Sequence, residues 1–105
     1  MGGRMSDLPD DRQVIGRRIA ELRIAWGYKR NQTGFAALLG ITRSSLSNFE
    51  QGLRRPTIDQ LGRIRKVTGV SWDWIFHGND DALRYDLVKK LKEAHEELKK
   101  PNGKG

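Results

Sequence analysis

Apolar residues recur along the chain at steps of three and four, with glycines between the runs. Ile15, Ile19, Leu22 and Trp26 fall at i, i+4, i+7 and i+11, one stripe of an amphipathic helix that Gly27 ends. Asp10, with Gln13 three residues on, is the expected N-cap. Asn31 caps a second, short helix containing Phe35, Ala36, Leu38 and Leu39, closed by Gly40. Thr42 caps a third, with Leu46 and Phe49 inward and a stop at Gly52. After the basic loop "LRRPT", Thr57 and Gln60 form an S/T-x-x-Q capping pair for a fourth helix, with Ile58, Leu61, Ile64 and Val67 facing in and Gly69 at its exit. Ser71 caps a fifth short helix, "WDWIF", which ends near Gly78.

A further helical segment runs from Ala82 to Lys100, with the pair Asp80–Asp81 at its start. Leu87, Leu91, Ala94 and Leu98 alternate steps of four and three, a narrow seam in a charged helix. Such a seam needs cover: a second copy of the chain, the chain's own first domain, or another protein. No strand pattern, internal repeat or low-complexity tract is present, so the fold class is all-α. The expected organisation is an arm at 1–9, a five-helix domain at 10–79, a C-terminal helix at 80–100 and a tail at 101–105.

Charge narrows the partner. Lys and Arg number 20 against 13 Asp and Glu, giving a net charge of +7. Residues 1–79 hold 13 basic and 7 acidic side chains, whereas 80–105 hold 7 and 6, so the positive field sits on the first domain. A basic domain points to a polyanion, either nucleic acid or anionic lipid, and no basic helix here has the broad apolar face that favours lipid. The chain has 105 residues, 36% hydrophobic content and a mean hydropathy of −0.70, and it lacks an apolar run long enough to span a bilayer. Zero cysteines exclude disulfide and thiolate chemistry and fit a cytoplasmic protein.

The third helix poses the functional question. It opens with Thr42, Arg43, Ser44 and Ser45 and carries Ser47 and Asn48, short polar residues that compete with the helix for their own backbone. Two helices joined by a tight glycine turn make a helix-turn-helix, which needs a small residue at the crossing (Ala36), a residue tolerant of positive φ four positions on (Gly40) and an apolar residue six further (Leu46). With Leu46 and Phe49 inward, Arg43, Ser44, Ser47, Asn48 and Gln51 point outward or toward the helix start. In the DNA major groove Arg makes two bonds to guanine, Asn makes two to adenine, and Ser or Thr serves several partners. Gln32, Gln51 and the Arg54–Arg55 loop surround this rim as phosphate contacts.

Residues 12 to 78 resemble the lambda-repressor-like Cro/CI (XRE) family of helix-turn-helix DNA-binding domains, through "IAELR", "NQTGFAALLGITRSSLSNFEQGLRRPT" and "LGRIRKVTGVSWDWIFHG". The resemblance implies a five-helix domain that binds operator DNA, commonly as a dimer. Carried onto matching positions, it gives base contacts to Thr42, Arg43, Ser44 and Asn48, beside Ser47 on the same face. It gives phosphate contacts to Gln32, Ser45, Gln51 and the basic loop, and a structural ion pair to Arg23 and Glu50. Two departures stand out. Lys29 and Arg30 look inserted between the first two helices, extending the phosphate contacts. Gly34 replaces a good helix former at a cost of roughly 1 kcal/mol relative to Ala, which points to the close approach of another backbone.

The other chemistry-bearing residues read as structure. Trp26, Trp72, Trp74 and Phe76 close a small core. His77 and His95 have no second ligand at metal spacing, and His95 beside Glu96 and Glu97 reads as a wet helix face. No phosphate-cradling loop or paired nucleophile and base is present, so neither an enzyme nor a cofactor is expected. The expected function is a sequence-specific transcriptional regulator: a repressor on a near-palindromic operator, binding double-stranded DNA as a homodimer. The alternative keeps the fold but works through the C-terminal helix on a second protein, as an antiactivator or antitoxin does.

Overall fold

The computed structural model describes residues 11–100, which form six α-helices and no strands: α1 (Arg12–Ala25), α2 (Gln32–Leu39), α3 (Arg43–Glu50), α4 (Ile58–Thr68), α5 (Trp72–His77) and α6 (Tyr85–Lys99). The expected arm, tail and Asp10 cap lie outside the described residues. Asp11 is the N-cap of α1, its carboxylate accepting from the amides of Gln13 and Val14. The other expected caps are in place: Asn31 accepts from the Gly34 amide, Thr42 from Ser45, Ser71 from Trp74, and Thr57 with Gln60 forms a complete capping box.

The core gathers Ile15, Ile19 and Leu22 of α1, Phe35, Ala36 and Leu39 of α2, Leu46 and Phe49 of α3, Leu61 and Ile64 of α4, and Trp74 and Ile75 of α5. One inward assignment fails: Ile58 is 72% exposed. Ile58 is the first residue of α4, and the buried residues of that helix, Leu61, Ile64 and Thr68, all come after it.

Gly16 makes the crossing of α1 and α3 possible. A Cβ there would lie 2.0 Å from the Phe49 carbonyl oxygen, so only glycine lets α3 seat against α1. The turn between α2 and α3 closes on Gly40, which is left-handed (φ 75°), while the Ile41 amide donates to the Ala36 carbonyl at 3.0 Å. Arg63 of α4 reaches back to donate to the Gly40 carbonyl (3.2 Å), fastening the turn to the rest of the domain.

The C-terminal helix packs on its own domain. Leu87, Leu91 and Ala94 are buried, and α6 lies against α1, so of the three covers open to the seam it is the chain's own first domain that supplies it. Leu98, at the end of the seam, stays 36% exposed. The helix begins at Tyr85 rather than Ala82, because Asn79, Asp80 and Asp81 form turns: the Asn79 side chain accepts from the Asp81 amide and the Asp80 carbonyl from the Leu83 amide. His95 is not simply solvated. Its Nδ1 lies 2.5 Å from a carboxylate oxygen of Glu21, an α1 residue only 6% exposed.

Candidate nucleic-acid interface

The scaffold of the site is an ion pair set between helices. Arg23 donates from Nε and Nη2 to the two carboxylate oxygens of Glu50 at 2.8 and 2.9 Å, with both side chains largely buried. This bidentate geometry fixes α3 in rotation as well as position. Nη1 of Arg23 donates to the carbonyls of Tyr28 (3.0 Å) and Lys29 (2.6 Å), so one guanidinium also sets the turn leading into α2. The amide nitrogen of Gln32 donates to Glu50 at 3.0 Å, linking the start of α2 to the end of α3. The pair expected between Arg23 and Glu50 is therefore present, and it is the centre of a network.

On this support the polar rim of α3 faces outward. Arg43 and Ser44 are exposed at its first turn, Ser47 and Asn48 are half-buried, and Gln51 is exposed just past its end. Thr42 sits at the edge of the rim with its hydroxyl already engaged: the oxygen accepts from the Ser45 amide and pairs with the Ser45 hydroxyl, both at 3.0 Å. Gln51 leans along the helix and donates to the Ser47 hydroxyl at 2.7 Å. Arg43 and Ser44 at the helix start, with Asn48 one turn on, carry the most outward hydrogen-bonding capacity of the rim.

Beside α3 a groove of about 350 Å³ runs between the α1–α2 turn and the start of α2, lined by Arg23, Arg30, Gln32, Thr33 and Arg43 among others. Its cationic lining of Arg23, Lys29, Arg30 and Arg43 suits an anion. Arg30 projects freely to solvent at its edge, and Arg54 and Arg55 are exposed on the loop beyond α3. Lys29 lines the groove as well, with its ammonium paired with Glu97 near the end of α6. The reading of Gly34 is corrected. A Cβ there would meet the Asn31 side chain at 2.5 Å and the Tyr28 ring at 3.0 Å, so the crowding comes from two side chains, not from a backbone.

A family model described as helix-turn-helix, HTH_3, matches residues 19–75, which contain the ion pair, the groove and the rim just described. The chain belongs to the XRE-type helix-turn-helix family. As a member, it is a DNA-binding regulator of transcription. Among curated proteins this XRE-type chain is similar to the HTH-type transcriptional regulator ImmR of Bacillus subtilis (strain 168), 33% identical over 89 residues that cover 81% of this chain and 68% of the relative. It is also similar to the SPbeta prophage-derived uncharacterized HTH-type transcriptional regulator YonR of the same strain, 29% identical over 90 residues, covering 86% and 80% respectively. No solved structure matches the chain significantly. Among the described residues no group of three or more His, Cys, Asp or Glu is placed to hold a metal ion, and no helix is long and apolar enough to cross a membrane.

Sequence reasoning missed Thr33 in the groove, Arg63 behind the turn and Gly16 at the crossing. A polar residue beside Gln32 in a helix first turn was the available sign for Thr33. The roles of Gly16 and Arg63 depend on elements more than twenty residues away and left no local pattern.

Proposed function

We propose that this regulator inserts α3 into the major groove of a near-palindromic operator as a homodimer and represses transcription by occupying the promoter. Arg43, Ser44, Ser47 and Asn48 read base edges, with the methyl of Thr42 at the rim. Gln32, Ser45, Gln51, Lys29, Arg30, Arg54 and Arg55 contact phosphates. The observation that carries this reading is the exposed polar first turn of α3 held rigid by the Arg23–Glu50–Gln32 network. Preorganised donors lose little freedom on docking, and a fixed helix start is what base-edge contact needs. A single short helix spans only a few base pairs, so two copies on half-sites about one helical turn apart, roughly 34 Å, give a longer site.

The alternative, a protein-interaction module working through α6, gains little from the packing, since Leu87, Leu91 and Ala94 face α1. Selection of bound duplexes from a random pool at stated salt tests the main reading. A recovered motif with two-fold symmetry and two protein chains per duplex supports it. Recovery of no motif, or of a single half-site bound by one chain, contradicts the corresponding part.

A further inference from the structure

The packing of α6 sets an acidic side chain, Glu97, against Lys29, a residue of the cationic groove. Lys29 lines that groove together with Arg30, Gln32, Thr33 and Arg43, and it also lines a second hollow with Lys90, Glu93 and Glu97 of α6. Its ammonium pairs with the Glu97 carboxylate, which Lys100 also approaches at 3.5 Å. Hydrogen bonding from Lys29 and the positive charge of Lys100 hold the Glu97 carboxyl below its ordinary range, so it is charged at neutral pH. We propose that Glu97 occupies the place of a DNA phosphate on Lys29 and so acts as a built-in brake on DNA binding. This rests on the DNA-binding reading of α2 and α3.

The physical reasoning is competition. An exposed ion pair adds little to the stability of the fold. The same pair matters more when a polyanion arrives, because DNA affinity scales with the number of phosphates neutralised. Lys29 must leave Glu97 to join them, and the carboxylate left behind then faces incoming phosphates of its own sign. Either way Glu97 opposes docking, and the opposition runs through Lys29. The chain thus carries a means of limiting its sequence-independent affinity on a helix outside the 19–75 match.

The test is a titration of the full chain and four variants against a fluorescent duplex of arbitrary fixed sequence, at about 50 and about 200 mM salt. The variants are Glu97→Gln, Glu96→Gln, Lys29→Met and the Lys29→Met/Glu97→Gln double. Glu96→Gln makes the same change in net charge on an exposed position of α6 and controls for it. Burial of Leu87, Leu91 and Ala94 keeps α6 docked in every variant, which an unchanged thermal midpoint checks. Glu97→Gln is expected to bind tighter than the parent, with the gain growing roughly threefold as salt falls between those values, the worth of one added phosphate contact. That gain should exceed the gain of Glu96→Gln and shrink to its level once Lys29 is gone. A gain no larger than that of Glu96→Gln, or one that persists undiminished without Lys29, overturns the brake while leaving DNA binding intact. A parent chain that binds no duplex at either salt overturns both.

Discussion

Glu50 shows how one residue joins fold and function. Its two oxygens take Arg23 and Gln32, and both ends of the ion pair are nearly out of solvent. Removing one partner of such a pair strands the other charge, so Glu50→Ala should lower unfolding stability by about 3–5 kcal/mol, read from urea denaturation. Gly16 makes the complementary point for packing. A methyl placed 2.0 Å from the Phe49 carbonyl must push α3 away from α1, and Gly16→Ala should cost about 1–3 kcal/mol by the same measurement and weaken DNA binding through the displaced rim. An unchanged urea midpoint in either variant would contradict the role assigned to it. Of the residues in the site, the rim of α3 was legible from sequence because solvent-facing and core-facing positions alternate within a single helix. Gly16 was not, because the atom it avoids lies thirty-three residues away in the chain and has no local signature.

Each helix is set by devices that act over three or four residues. The caps at Asn31, Thr42, Thr57 and Ser71 and the left-handed Gly40 are local, and all were readable in the sequence. What lies beyond one turn was less readable: Ile58 counted as inward by periodicity alone, yet helix-start geometry leaves it in water. The fifth helix offers a pH-dependent check. The Asp73 carboxylate accepts from the His77 ring and the Asn79 amide, which lowers its pKa below the ordinary carboxylate value. A depressed folded-state pKa favours the native state above the unfolded-state pKa and loses that contribution as pH falls through the folded one. Acid unfolding of Asp73→Asn should therefore show a shallower pH dependence than the parent below the ordinary carboxylate range, followed by circular dichroism. A parallel acid limb in the two proteins would show that the carboxylate contributes nothing there.

For the whole molecule, the sixth helix is where the sequence left the most open. Its narrow seam correctly announced a buried face, but periodicity carries no record of what covers it. The structure lays that face on α1, where the Glu21–His95 and Lys29–Glu97 contacts join residues 74 and 68 positions apart. Leu91→Ala should consequently destabilise the chain by about 2–5 kcal/mol even where it is monomeric, because the cavity opens in its own core. Stability that changed only with protein concentration would instead return the seam to an intermolecular contact. The excess positive charge completes the picture: it sits on the domain that carries α3, while α6 adds nearly balanced charge and one carboxylate paired with Lys29.

Arg43 provides the most direct measurement. It stands exposed at the first turn of α3, the position proposed to meet base edges, whereas Arg55 lies on the loop beyond the helix. Affinities of the parent, Arg43→Ala and Arg55→Ala should be compared on a selected duplex and on random duplex at one stated salt. Arg43→Ala should lose about 1–3 kcal/mol on the selected duplex and much less on random DNA, relaxing one position of the site. Arg55→Ala should lose equally on both and flatten the salt dependence. Equal losses on both duplexes for Arg43→Ala would contradict base reading by α3.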